Sequence, residues 1–324
     1  MDYRQATLRG SRGASEAHNK FGLKSKIKEG LQQIDIFECL KELNITTLCR
    51  PLDGLLGAYS TDGHSSGILI STNRRLPVQR FTAAHEFGHF WLGHNDSVDS
   101  EASISALRSG KGVAAQEVEA EAFAAEFILP RVLIGHTIRR QNYTKSDLKQ
   151  PDVMYQLSLR LGVSYSAIRV ALVSARFISQ PEADLAAKTV PKLIKQKLLK
   201  EFELPASHPD VFYLTEHDNS AYIMSDESDI LIVDLPEHSA SGYVWNDTAE
   251  SENLTTLFDI NYLENKESVG GISRRKRVLT GSNRTNLKLV ETRPWEQNVK
   301  PISQYDVTLD FRGKESGLPR AFRQ

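Results

Sequence analysis

Apolar residues recur at helical spacing near the start of the chain: Ala17, Phe21, Leu23, Ile27 and Leu31, then Ile36, Leu40 and Leu43. This spacing predicts helices from about Ser15 to Leu43, whereas residues 1 to about 13, rich in Gly, Arg and Ser, read as mobile. The pattern then changes. Ile45-Thr46-Thr47-Leu48, Gly57-Ala58-Tyr59-Ser60 and Ser66 to Ser71 are short β-branched or alternating runs, joined in part by the turn-rich Thr61-Asp62-Gly63-His64, and they predict a small sheet. Thr72 to Pro77 turns into an apolar helix around residues 81–92, with Pro77 in the first turn, where a missing N–H costs nothing. Ser97 to Gly112 reads as a polar, serine-rich connection, and Gln116 to Leu129 as a strong helix stopped by Pro130. Two short helices flank Gly162 within residues 152–179, and the lysine-rich stretch Lys188 to Lys200 predicts one amphipathic helix in a linker. From Val211 onward the runs are short and β-like: 211–214, 230–233, 243–245, 254–257, 288–290 and 305–309. Turn-separated strands over such a length predict a β-sandwich. The expected order is a domain at 1–180, a linker at 181–207 and a sandwich at 208–324.

Composition narrows the class without choosing a function. The chain has 324 residues, 40% hydrophobic, a quarter charged and a formal net charge of -1, so no global attraction to nucleic acid or anionic membrane is expected. No apolar run reaches the ~18 residues of a membrane span, and the polar Met1 to Gln5 does not read as an export signal. Cys39 and Cys49 show no disulfide or metal spacing. A cytoplasmic protein is the expectation.

Chemistry enters at Phe81-Thr82-Ala83-Ala84-His85-Glu86-Phe87-Gly88-His89-Phe90-Trp91-Leu92. Residues four apart share one face of a helix, so His85 and His89 can aim imidazole nitrogens at one ion. Glu86 is offset by about a quarter-turn, where a carboxylate can serve as general base for hydrolysis. The apolar flanks carry these polar groups into a buried setting that a divalent cation would compensate. A catalytic zinc takes three protein ligands and leaves a position for water. A histidine in the pattern HExxHxxGxxH does not supply the third, because Gly93 and His94 stand at other offsets and Asn95 is in its place. Glu117, Glu119, Glu121 and Glu126 on the following helix compete, and of these Glu117 and Glu121 share a face.

The stretch Arg80 to His89, together with Glu117-Val118-Glu119-Ala120-Glu121-Ala122-Phe123-Ala124-Ala125 ending in Leu129-Pro130, resembles the ImmA/IrrE-type metallopeptidases. These share an Arg-x-Phe-Thr-x-Ala-His-Glu-x-Gly-His motif and a later Glu-x-x-Ala-Asn-x-Phe-Ala-Ala. The resemblance implies an α+β zincin-like metallopeptidase domain holding Zn2+ through His85, His89 and Glu117. Glu121 stands where the family has Asn or Asp, as an outer partner or the alternative ligand. It also implies a protein substrate such as a helix-turn-helix repressor, and with it a role in transcription regulation and stress response. The helix pair at 152–179 itself looks like a helix-turn-helix, but its second helix offers only Arg169 as a basic residue, so packing is favoured over direct contact with nucleic acid.

Three stretches of the C-terminal region resemble loops of the chagasin family, immunoglobulin-like inhibitors of papain-type cysteine proteases: Leu235 to Trp245, Val269-Gly270-Gly271 and Arg293-Pro294-Trp295. That resemblance implies an all-β immunoglobulin-like sandwich whose protein-binding residues are Ser241, Gly242, Gly270, Gly271, Arg293 and Trp295. Its partner would be a regulatory protein or a cysteine protease. The leading expectation is a zinc metalloendopeptidase with a C-terminal recognition or regulatory domain. Its rivals are a non-catalytic scaffold that sequesters a regulator and an inhibitor of cysteine proteases.

Overall fold

A computed structural model describes residues 3–100, 114–199, 209–248, 253–263, 273–296 and 300–323. The chain divides into two compact units: residues 1–137, 161–177 and 314–324 form the first, and residues 138–160 and 178–313 the second.

The first unit is α+β. Helix α1 spans Tyr3–Lys20, so residues 3–13 are ordered helix and not the mobile start their composition suggested. The reason lies in Gly10 and Gly13, which composition reads as loosening: a Cβ at Gly10 would lie 2.1 Å from the carbonyl oxygen of Glu119. The glycines are there to let the helix backbone approach its neighbour, and that packing outweighs their poor helix propensity. Gly22, at φ +62°, separates α1 from α2 (Leu23–Lys28). Helix α3 (Ile36–Glu42) follows, with the Asp35 side chain accepting from the backbone N–H of Phe37 and Glu38 as its N-cap.

Strands β1 (Thr46–Arg50), β2 (Leu55–Thr61), β3 (Ser66–Ser71) and β4 (Ser97–Ser100) form one sheet in the order β1-β3-β2-β4. The first pair is parallel and the other two are antiparallel. β4 falls in the stretch read as a connection, and its partner strand β2 is what recruits it. Helix α4 (Leu76–Leu92) lies between β3 and β4 in the chain and begins with Pro77 in its first turn. Helix α5 (Ala115–Ile128) packs against both α1 and α4. Rings of Phe87, Phe123 and Phe127 meet at centroid distances of 5.3 to 5.5 Å behind the polar face of α4.

Arg80 fixes the start of α4. Only 2% exposed, it donates to the Gln33 side chain and to the carbonyls of Ile34 and Gly162 at 2.7 to 3.0 Å. Burial pulls its pKa down to about 10. Gly162 has φ +64°, and a Cβ there would strike the Arg80 guanidinium. The segment 314–324 also belongs to this unit. Gly317 exchanges two backbone hydrogen bonds of 2.8 Å with Cys49 on β1. The Glu315 backbone exchanges bonds of 2.8 and 3.0 Å with the Gln79 side chain on α4. Cys39 and Cys49 are buried free thiols, both pushed up to about 12 by burial, so they are inert.

After α6 (Arg131–Arg140) come α7 (Pro151–Leu161) and α8 (Tyr165–Ser174), the two helices foreseen around Gly162. Gln180 to Asp184, read as linker, forms part of α9 (Gln180–Ala187), nucleated by a capping box between Ser179 and Glu182. α10 (Pro191–Leu199) is the expected amphipathic helix.

The second unit carries two four-stranded sheets. One runs β5 (Val211–Leu214), β7 (Ile230–Glu237), β10 (Ser273–Gly281), β9 (Leu254–Leu263); the other runs β6 (Ala221–Met224), β12 (Ser303–Asp310), β11 (Arg284–Thr292), β8 (Val244–Asp247). Inward residues of both, among them Leu231, Val233, Trp245, Leu289, Val307 and Leu309, share one core, which is the predicted sandwich. β6 and β10 were not foreseen.

Candidate metal centre

Helix α4 presents His85 and His89 on one face, and α5 brings Glu117 to them from its first turn. Gly88 permits this approach: a Cβ there would meet the Ala120 Cα at 3.1 Å and its carbonyl oxygen at 3.3 Å. The ligand atoms converge. His85 Nε2 lies 3.3 Å from Glu117 Oε2 and 3.2 Å from His89 Nε2, and His89 Nε2 lies 3.6 Å from Glu117 Oε2. Donors held about 2.0–2.1 Å from one ion in tetrahedral geometry stand roughly 3.3 Å apart, so two imidazoles and a carboxylate fit such an ion. His85, His89 and Glu117 thus form a cluster able to hold a metal ion. Burial opposes the charge on Glu117, but the hydrogen bonds and charge of the two histidines outweigh it and hold its carboxyl well below the usual carboxylate range. Glu121 Oε2 stands 3.7 Å from His85 Nδ1, on the far side of that ring from the cluster.

Glu86 is fully buried. Its Oε2 accepts from the Ser97 hydroxyl at 3.0 Å. Its Oε1 faces β2, where a Cβ at Gly57 would sit 2.8 Å away. Two residues along, Tyr59 on the same face of β2 lays its ring parallel to His89, 12° apart in plane and 6.4 Å between centroids. Beyond the cluster runs a second line of polar groups. His94 Nδ1 is 3.0 Å from His89 Nδ1, His94 Nε2 is 2.8 Å from Glu119 Oε2, and Arg9 Nη1 donates to the same oxygen at 2.8 Å. Gly93, left-handed at φ +69°, ends α4 and turns His94 back beneath it. Burial lowers the His94 pKa against the opposing bond to Glu119.

Sequence reasoning brought out His85, Glu86, His89, Glu117 and Glu121, and these five stand together. It passed over Gly57, Tyr59 and Ser97, and over His94, Glu119 and Arg9 as a set. The one available signal was the histidine just past the helix-ending Gly93.

In the second unit Ser241, Gly242, Arg293 and Trp295 are neighbours. Arg293 Nε donates to the Ser241 carbonyl at 3.0 Å, its guanidinium stacks 4.5 Å over Tyr243, and it pairs with Glu296 at 2.9 Å. Gly242 is left-handed at φ +81°, and a Cβ there would strike the Trp295 ring. Trp295 is 68% exposed, whereas Trp245 is core at 5% and donates from Nε1 to the Pro236 carbonyl at 2.8 Å. Gly270 and Gly271 lie outside the described residues.

Residues 40–173 match the sequence-family model of the IrrE N-terminal-like domain, Peptidase_M78. The match supports a metallopeptidase-type function for this region. No curated protein matches the chain. Among solved structures, the chain is similar to the cysteine protease inhibitor EhICP2 from Entamoeba histolytica, at 25% identity over 32% of this chain and 98% of that one, with a TM-score of 0.31. It is also similar to Amebosin, at 21% identity over 32% of this chain and 97% of that one, with a TM-score of 0.27.

Proposed function

We propose that the protein is a zinc-dependent endopeptidase acting on a protein substrate, with His85, His89 and Glu117 as ligands and Glu86 as general base. The observation that carries this reading is the convergence of His85 Nε2, His89 Nε2 and Glu117 Oε2 beside the fully buried Glu86. Two imidazoles and one carboxylate make the donor set of hydrolytic zinc. When bound, zinc supplies a Lewis acid for the scissile carbonyl and a water whose pKa is lowered toward ~7.

The chain's own residues do the rest. Ser97 fixes the rotation of the Glu86 carboxylate through Oε2. Glu86 then takes the proton of the attacking water and delivers it to the leaving amine. Gly57 lets β2 lie close against α4, since a Cβ there would meet the Thr82 side chain at 2.5 Å and Glu86 Oε1 at 2.8 Å, and so helps hold the Glu86 carboxylate in place. A helix-turn-helix repressor is the proposed substrate. The proposed role of the second unit is protein recognition, resting on Trp295, a rigid, exposed aromatic braced by Arg293 and Gly242. The test is metal analysis of the purified protein together with cleavage of a candidate repressor by the wild type and by Glu86→Gln. A metal-free protein, or undiminished cleavage in the variant, refutes the reading.

A further inference from the structure

With His94 as a neutral imidazole, the Arg9, Glu119, His94 and His89 line has one self-consistent proton arrangement. Glu119 offers acceptors only, and its oxygen already accepts from Arg9, so His94 Nε2 must carry the hydrogen in their 2.8 Å contact. His94 Nδ1 is then a lone pair. At 3.0 Å it can be satisfied only by a hydrogen on His89 Nδ1. His89 Nε2 is left as the lone pair facing His85 and Glu117. A ligand imidazole is commonly oriented by a carboxylate on its far nitrogen; here a second imidazole stands between the two.

We propose that His94 is a positioning residue for metal binding: it relays the Glu119 carboxylate to His89, locks the His89 tautomer and ring rotation, and makes Nε2 a better donor. The anchoring is deep, since the side chains of His94 and Glu119 are 5% and 2% exposed. Arg9 ties the line to α1 and, through a 3.2 Å bond to the Leu92 carbonyl, to the end of α4. Tyr59 lies near-parallel to the His89 ring at 6.4 Å between centroids, too far to fix its rotation by contact, which leaves that to the hydrogen bond from Nδ1. This inference rests on the metal reading above and extends it to residues that would touch neither metal nor substrate.

The test measures zinc affinity of the full chain by chelator competition, with the visible spectrum of the Co2+-loaded protein as a second readout. His94→Phe keeps the ring volume and removes the acceptor; it is expected to weaken zinc binding by ~10–100-fold and to shift the cobalt bands. His94→Asn places a carbonyl oxygen near the lost Nδ1 and is expected to recover most of that affinity. Glu119→Gln keeps an acceptor for His94 without its charge, and is expected to bind less tightly than wild type by several-fold, roughly the low end of that range. Equal affinity and spectrum for wild type and His94→Phe overturns the relay alone. So does His94→Asn no better than His94→Phe. Failure of the wild type to bind metal overturns the metal reading and the relay together. If His94→Phe does not fold, Glu119→Gln decides, and unchanged affinity there overturns the relay.

Discussion

Arg160 and Asp218 in the strand-rich unit have side chains 5% and 1% exposed and close a bidentate pair at 2.7 and 2.8 Å. His85 and His89 in the N-terminal unit are comparably deep, and with the half-buried Glu117 they direct three ligand atoms at a common centre. The second unit repeats the Arg160 pattern. Asp234 receives Arg274 and the hydroxyls of Tyr213 and Tyr262, and Asp310 receives Arg312 and Tyr222. Charge answered by charge from the same chain is architecture; lone pairs gathered around one point are a receptor for a cation.

The sharpest way to break that contrast is to leave an architectural charge unanswered. Arg160→Met strands Asp218 in the interior and should cost about 3–5 kcal/mol of stability, read from the urea midpoint. A cost under about 1 kcal/mol would mean that the pair is not structural. On the other side, Glu86→Gln should leave metal content unchanged and cut cleavage at least ~100-fold, about 2.7 kcal/mol of barrier. Loss of zinc with cleavage intact would reverse the assignment of ligand and base. Within the ligand set, Glu117→Ala should weaken zinc binding at least ~10-fold more than Glu121→Ala, because Glu121 acts through the outer nitrogen of His85. Collapse of binding with Glu121→Ala alone would make Glu121 the third ligand.

The fourth prediction concerns pH. Burial works to raise the Asp310 pKa, but bonds from Arg312 and Tyr222 prevail and hold it at about 2. A folded pKa below the unfolded one means that this stabilisation is complete above about pH 4 and is lost as pH falls toward 2. Because Arg312 is 38% exposed and screened by solvent, the effect should be only about 1–2 kcal/mol. Asp310→Asn should flatten that part of the acid-unfolding curve, and an unaltered curve would refute the coupling. The smallest effect is at Trp295: Trp295→Ala should change stability by less than ~0.5 kcal/mol, since the ring is exposed. A larger loss would mark the ring as architecture.

Much of the centre was legible because a helix converts sequence spacing into direction: His85, Glu86 and His89 needed only the 3.6-residue turn. Glu117 and Glu121 emerged as a pair for the same reason, and choosing between them needed a second helix at a known height. The line through Arg9, His94 and Glu119 was not legible, because its members come from three elements up to 110 positions apart. Strand β10 was hidden for another reason. Its Ser-Arg-Arg-Lys-Arg start looks like solvated loop, yet Arg274, Arg275 and Arg277 pair with Asp234, Asp259 and Asp247. Neutralisation by neighbouring strands lets a basic run lie in a sheet. α1 was misread at Gly10 and Gly13, where the value of a missing side chain depends on the helix that fills the space.

The bonds from Glu315 and Gly317 to α4 and β1 also impose an order on biosynthesis. A ribosome must make all of residues 138–313 before it reaches the clasp that joins Gln79 and Cys49. A nascent chain already carrying His85, His89 and Glu117 is therefore still an unlatched one, and a message cut anywhere within the strand-rich unit yields an N-terminal fragment without its fastening. Completion of the N-terminal unit is timed to translation of the segment that follows the strand-rich unit.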